Sequence, residues 1–364
     1  MHSVDINSKN YAVKKSDIPE VPLVKLDTLW LQVGGTLCNL QCTHCFISCG
    51  PQNHTHGMMS LKQVCQLLEE SKTVKKDQSK VPEVPLTKLD TLWLQVGGTL
   101  CNLQCTHCFI SCGPQNHTHE MMSLQEVRQR LEESKLLGVK DYYITGGEVF
   151  MNQEIFEILA AILEYGPLDV LTNGTFITPE KASRLRKIQN GSSHKLQFRV
   201  SMESFEEETN NQIRGEGAFS KATKGVRNLA AAEFSPILTV TRNWEEERDQ
   251  EMEKKFKSFL SSLNVSHPRL KILPGFLLGR LAENLRNYSG DEHVTEKCFE
   301  NYDITNLQCS TSRMATKTGV YVCPILVDNI EARMGDTIEE TLRPFPLAHS
   351  ACYTCRVTGM TCKS

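Results

Sequence analysis

No apolar run in this sequence approaches the roughly 18–20 residues that a helix needs to span a bilayer, so no membrane segment is expected. The first residues, MHSVDINSKNYAVKKSD, are polar and lack the apolar core of a secretory signal. There is no basic stripe to follow a phosphate backbone and no long acidic tail. Lys and Arg number 40 against 43 Asp and Glu, a net charge of −3, so no nucleic-acid partner is expected. The expectation is a cytoplasmic protein. Its 364 residues, 40% of them hydrophobic, can bury a real core in one large domain plus a small one.

Cysteine, by contrast, is abundant, at 15 residues. In a reducing compartment that many point to metal ligands or catalytic groups rather than disulfides. Nine fall in two short clusters, at 38, 42, 45, 49, 65 and at 101, 105, 108, 112, and six lie beyond residue 297. Cysteines three and four apart on one loop serve no disulfide framework.

The two clusters belong to a tandem repeat. Residues 25–64 reappear as 88–127, with 37 of 40 positions identical; the exceptions are Gly57/Glu120, Lys62/Gln125 and Gln63/Glu126. Each copy reads as a strand (TLWLQV), a cysteine loop and an amphipathic helix opening at Ser60 or Ser123. With only two copies this is no solenoid. Copy two runs on into LLGVKDYYITGGE, a loop, a new strand and a glycine turn, whereas copy one runs into the polar linker TVKKDQSKVPEVP. The working loop is therefore assigned to Cys101, Cys105 and Cys108, with Cys38, Cys42 and Cys45 a possible duplicate metal site. An exchange, with copy one in place and copy two looped out, stays open, because loop-closure entropy grows only logarithmically.

From copy two onward strands and helices alternate. Strands are expected near 91–96, 141–145, 168–172, 196–202, 236–241 and 269–274, and helices near 123–137, 152–164, 178–189, 218–232 and 245–263, with a weaker one after 278. The pattern predicts an α/β fold: a partial (β/α)6 TIM-like barrel over 88–290, preceded by a tail and duplicated segment over 1–87 and followed by a cysteine-rich domain over 291–364. Ligands of such barrels bind at the C-terminal strand ends. The unusual residues lie there: cysteines after strand one, GGE after strand two, Asn-Gly after strand three, Glu-Ser at strand four.

C-x3-C-x2-C puts three thiolates on one tight loop, and soft thiolates select iron–sulfur clusters or zinc. Structural zinc wants a closed fourth ligand, which Cys112 or His107 could supply. The loop CNLQCTHCF resembles the C-x3-C-x-φ-C signature of the radical S-adenosylmethionine (SAM) superfamily, with His107 in the φ place. The resemblance implies a catalytic [4Fe–4S] cluster on Cys101, Cys105 and Cys108 with one open iron. It implies that this iron chelates S-adenosylmethionine, which one electron cleaves to a 5′-deoxyadenosyl radical that abstracts hydrogen from substrate. Thr145-Gly146-Gly147-Glu148 resembles the family's GGE turn, whose backbone and acid meet the cofactor's ammonium group. Asn173 of Thr172-Asn173-Gly174, Ser201, and Arg214 of the RGEGAF segment match further cofactor positions, the serine for ribose and the arginine for carboxylate. Leu273-Pro274 with Gly279-Arg280 resembles the strand-six end.

Beyond 297, Cys309-x9-Gly319-x3-Cys323, Cys352-x2-Cys355 and Cys362 resemble the C-terminal auxiliary-cluster extension called SPASM, or its shorter twitch form. The spacing after the glycine is one residue short of the SPASM pattern, and the cysteines are too few for two full clusters. The twitch form implies a second [4Fe–4S] cluster on Cys309, Cys323, Cys352 and Cys355, with Cys362 an alternative ligand; zinc on the same residues stays open. Relatives of this architecture modify peptides or small molecules, take electrons from a reductant such as ferredoxin or flavodoxin, and use the auxiliary cluster in oxidation. The alternatives are an enzyme like the molybdenum-cofactor GTP cyclase and a non-catalytic iron–sulfur or zinc scaffold.

Overall fold

The computed structural model describes residues 28–43, 45–73 and 81–359. They divide into two compact units, Met1–Ser79 and Lys80–Ser364. Among the described residues no helix is long and apolar enough to cross a membrane.

The second unit is built on one sheet. Its first six strands are β1 (Thr91–Leu94), β2 (Asp141–Ile144), β3 (Leu168–Thr172), β4 (Leu196–Ser201), β5 (Ile237–Thr241) and β6 (Arg269–Leu273). They lie in chain order, each parallel to the next. The crossovers carry α1 (Leu124–Leu136), α2 (Ile155–Ile162), α3 (Pro179–Asn190), α4 (Glu207–Arg214), α5 (Ala218–Ala231) and α6 (Asp249–Ser262). This is the expected partial barrel, and it stays open. β7 (Ser312–Thr316) pairs in parallel with the free edge of β1, and β8 (Gly319–Tyr321) and β9 (Arg333–Gly335) continue that edge antiparallel. The C-terminal cysteine region thus extends the barrel's own sheet. Two short helices complete the unit, α7 (Gly279–Asn284) and α8 (Ala351–Thr358).

The strands read as near-continuous hydrophobic runs because both faces of a parallel sheet are covered. Alternation still sorts them. Leu92, Leu94, Tyr142 and Ile144 pack outward into the helix-covered core, while Trp93 and Tyr143 point into a second apolar cluster on the other face, ring on ring at 4.4 Å. Local signals set the helix starts. Ser123 and Glu126 form a reciprocal capping box at α1, and Thr178 caps α3 with Pro179 in the first turn. On α6, Phe256 and Leu260 are buried, as the sequence pattern requires, and the acidic run before them stays outside.

Copy one departs from the sequence reading. Its helix, Leu61–Thr73, forms, but the described part of its TLWLQV segment is not a strand. Trp30 is 91% exposed where its counterpart Trp93 is 3% exposed. A strand needs neighbours to accept its backbone hydrogen bonds, and in the second unit β2 and β7 provide them for copy two.

Candidate functional site

The cysteine loop leaves the C-terminal end of β1 and folds on itself. Cys101 N–H donates to Gly113 O (3.1 Å), Gly113 N–H to Thr99 O (3.2 Å) and Thr99 N–H to His119 O (2.9 Å). Within it, Cys108 N–H donates to Cys105 O (3.4 Å) and Cys112 N–H to Cys108 Sγ (3.3 Å). Arg280 on α7 clamps the loop from outside, donating to Cys105 O (2.8 Å), Ser111 O (3.0 Å) and Cys112 O. Sequence reading marked Arg280 only as part of a strand-end resemblance. Cys101, Cys105 and Cys108 all line one cavity of about 230 Å³, which Cys112 also borders.

Two glycine turns cross beside the loop. Gly97 N–H donates to Thr145 O (3.0 Å) and Gly147 N–H to Gly98 O (2.9 Å). A Cβ on Gly147 would meet Leu100 O at 2.0 Å, and one on Gly146, at φ +136°, would meet Gly97 backbone at 2.7 Å. The close approach these glycines permit is thus first of all to the neighbouring turn, although Gly146 and Gly147 also face the cavity. Glu148, which the resemblance assigns to a cationic ligand, has its carboxylate engaged within the protein. It is 0% exposed and off the cavity wall; its carboxylate accepts from Thr172 Oγ1 (2.7 Å), Asn173 N–H (2.7 Å) and Phe150 N–H (3.0 Å). Burial pushes its acid up against those hydrogen bonds. It ties the turn after β2 to the turn after β3.

Asn173, Ser201, His107 and Arg214 reach the same cavity from separate elements. Arg214 ends α4, a helix the sequence reading did not foresee, and donates through Nε (3.0 Å) and Nη2 (2.6 Å) to Glu203 Oε1. Its Nη1 lies 4.0 Å from Cys105 Sγ. Glu203, noted in the sequence only in the Glu-Ser end of strand four, accepts from Thr241 N–H (2.7 Å) and holds His107 Nε2 at 3.1 Å. Burial opposes both charges of the pair. The Arg214 guanidinium, with His107, nevertheless holds Glu203 below the usual carboxylate range, and Glu203 holds Arg214 above its own. Burial pushes the Cys101 thiol up to about 12 and raises Cys105, while hydrogen bonds from Cys112 bring Cys108 down to about 6.

Three residues that border the cavity also carry buried polar atoms without protein partners: Trp93 Nε1, Gln95 Oε1 and Thr239 Oγ1. Buried polar groups are normally paired. A soft three-thiolate set beside unpaired donors and acceptors, a buried arginine and an apolar wall fits a metal cluster with a polar organic ligand.

The second cysteine set converges too. Cys309 precedes β7 and Cys323 follows β8, so the hairpin brings them to the same end. Gly319, at φ +147°, makes the turn where a Cβ would meet the Arg333 guanidinium at 2.5 Å. The Cys-x9-Gly-x3-Cys spacing is that hairpin. Cys352 and Cys355 lie one turn apart on α8, and all four cysteines line one small apolar pocket. Ile325 lines this pocket and the large cavity alike. Burial pushes Cys309 up to about 12 and raises Cys323 and Cys352. Cys298 is half-buried nearby, and Cys362 lies outside the described residues.

Arg313, on β7, was not singled out from sequence. It is 0% exposed and donates only to carbonyls, those of Thr341 (3.1 Å), Cys309 (2.7 Å), Ser312 (2.8 Å) and Arg343 (3.0 Å). Among the described residues no carboxylate pairs with it. A buried cation needs a counter-charge, and four thiolates on a metal centre supply one where four neutral thiols do not. Among the described residues no three His, Cys, Asp or Glu side chains converge closely enough for a single metal ion.

The histidines beyond the loop have plain surroundings. His117 borders a shallow surface pocket, and His119 Nε2 contacts Asp328 Oδ1 at 2.6 Å. Glu120, one of the three positions that distinguish the copies, pairs with Lys317 in the β7–β8 turn.

Comparison with known proteins agrees with this geometry. The family model described as the radical SAM superfamily matches residues 96–257. Mycofactocin maturase MftC of Mycobacterium tuberculosis is 30% identical over 146 residues, 39% of this chain and 36% of that protein. The antilisterial bacteriocin subtilosin biosynthesis protein AlbA of Bacillus subtilis is 29% identical over 135 residues, 36% of this chain and 28% of that protein. The matched stretch thus spans about a third of these curated relatives. Streptococcus suis SuiB, solved with its precursor peptide SuiA, superposes with a TM-score of 0.53 at 13% identity, covering 82% of this chain and 77% of that one, a likeness of fold.

Proposed function

Because residues 96–257 form a radical SAM domain, we propose that the chain reductively cleaves S-adenosylmethionine and abstracts hydrogen from a peptide. The observation that carries this is convergence: Cys101, Cys105, Cys108, Gly147, Asn173, Ser201 and Arg214, from four strand ends, line one cavity.

Cys101, Cys105 and Cys108 would hold a [4Fe–4S] cluster by three irons. When bound, cluster and cofactor supply the electron and the carbon radical that removes hydrogen from substrate. The chain's part is to hold and shield. Arg280 and the crossed glycine turns fix the cysteine loop. Glu203 fixes Arg214, leaving Nη1 toward Cys105 and free for an anionic group such as a carboxylate. Leu103, Phe109, Ile110, Leu171 and Phe276 wall the cavity against water. Trp93 Nε1–H is a donor and Gln95 Oε1 an acceptor still to be satisfied. Gln95 keeps that orientation because its Nε2 donates to Gly98 O (3.4 Å).

A peptide is favoured because MftC is a maturase, AlbA serves bacteriocin biosynthesis and SuiB binds a precursor peptide. Cys309, Cys323, Cys352 and Cys355 would hold a second [4Fe–4S] cluster that takes the substrate's electron, making the reaction an oxidation. The first electron would come from a reductant such as ferredoxin or flavodoxin.

The test is anaerobic loading with iron and sulfide, reduction with dithionite and chromatography for 5′-deoxyadenosine. Release that stops in Cys105→Ala supports the reading. Zinc in the cysteine sites without cofactor cleavage overturns it.

A further inference from the structure

The first unit carries a cysteine loop that the function above does not use. Its described residues repeat many of the hydrogen bonds of copy two. Cys38 N–H donates to Gly50 O (3.1 Å), Gly50 N–H to Thr36 O (3.2 Å) and Thr36 N–H to His56 O (2.9 Å). Cys45 N–H donates to Cys42 O (3.3 Å), Ser48 N–H to Cys45 O (3.1 Å) and Cys49 N–H to Cys45 Sγ (3.2 Å). Leu40 N–H reaches Cys38 Sγ at 3.5 Å, as Leu103 N–H reaches Cys101 Sγ at 3.4 Å. Leu37 bridges Gly50 as Leu100 bridges Gly113. Asn53 Nδ2 ties down Ser48 O (2.8 Å), as Asn116 ties Ser111 O (2.9 Å). Ser48 takes a positive φ of 51°, matching 50° at Ser111. Every one of these bonds is internal to the first unit. The loop therefore needs neither the sheet nor the α7 clamp to hold its shape.

We propose that Cys38, Cys42 and Cys45 form an additional metal site that binds a [4Fe–4S] cluster without processing S-adenosylmethionine. This rests on the reading of the copy-two loop as a cluster loop. The same backbone presents the same three soft thiolates, and a preformed loop loses little entropy on binding. Cofactor handling, by contrast, draws on groups supplied to copy two by later strands: the Gly146-Gly147 turn, Asn173 and Arg214. The stretch 1–79 contains no such turn after its loop. Cys42 is exposed, whereas Cys105 is half-buried with Arg214 Nη1 at 4.0 Å.

The experiment loads the full chain anaerobically with ferrous iron and sulfide, then measures iron and acid-labile sulfide per chain and the EPR spectrum after reduction. The comparison is a triple variant, Cys38→Ser, Cys42→Ser and Cys45→Ser. About four fewer irons per chain are expected, on the order of twelve falling to eight. One EPR signal should vanish, with 5′-deoxyadenosine release and circular dichroism unchanged. The reciprocal variant, Cys101→Ser, Cys105→Ser and Cys108→Ser, should stop release yet keep the signal lost in the first. Equal iron in parent and first variant overturns the proposal and leaves the cleavage reading standing. So does zinc, rather than iron, lost with the three serines. Absent cleavage with iron still lost in the first variant would overturn the function alone.

Discussion

Two buried arginines illustrate different answers to the same problem. Arg214 is paired with Glu203, and removing one partner strands the other. Glu203→Ala should lower unfolding free energy by roughly 3–5 kcal/mol in urea titration. Among the described residues Arg313 has only carbonyls, and thiolates of the proposed second cluster would supply its counter-charge. Arg313→Met should shift that cluster's midpoint potential to more negative values in an EPR-monitored titration, because a lost cation disfavours added electrons. An unmoved potential would detach Arg313 from the cluster. Neither arginine's role is visible in sequence. Arg214 was legible only as a motif residue, and nothing local marks Arg313, since its burial arises from β7 pairing with β1. Glu148 was legible as a motif residue, but its protein partners were not. The sequence suggested an acid for a cation; the structure puts its oxygens on Thr172, Asn173 and Phe150.

At the level of elements, the six barrel strands were legible within a residue or two and their helices to within about four, because parallel strands and amphipathic helices carry strong local periodicity. The exceptions were short or non-local. α4 is eight residues of mostly polar sequence, and β8 and β9 have three residues each. The cysteine spacing was visible around β7 and β8, but the hairpin behind it was not. The crossed glycine turns give the sharpest test. Gly147→Ala must displace Leu100 O and with it the cysteine loop, so iron content and stability should both fall. Gly138→Ala, at φ +75° with nothing within 4 Å of the new methyl, should cost only about 1 kcal/mol of stability and no iron. Equal effects would mean that the loop does not depend on the crossing.

For the whole molecule, the division between Ser79 and Lys80 predicts independence. A chain beginning at Lys80 should fold, with the thermal midpoint of the barrel unchanged in calorimetry and cofactor cleavage retained. Loss of both would show that the first unit completes the second. The repeat itself was plain in sequence. Which copy joins the sheet was argued there from continuation into the next strand, and the burial of Trp93 against the exposure of Trp30 agrees.

Ile325 lines both the large cavity and the pocket of the four C-terminal cysteines. A single aliphatic side chain is a selective partition. It offers no hydrogen-bonded path, so water, protons and ions do not cross it. An electron needs no such path and can tunnel through. Charge taken from a substrate would leave by this wall while the proton stays behind, and reactive fragments would stay where they form. Filling or thinning the wall, with Ile325→Phe or Ile325→Ala, therefore changes the leakiness of the chamber before it changes its chemistry.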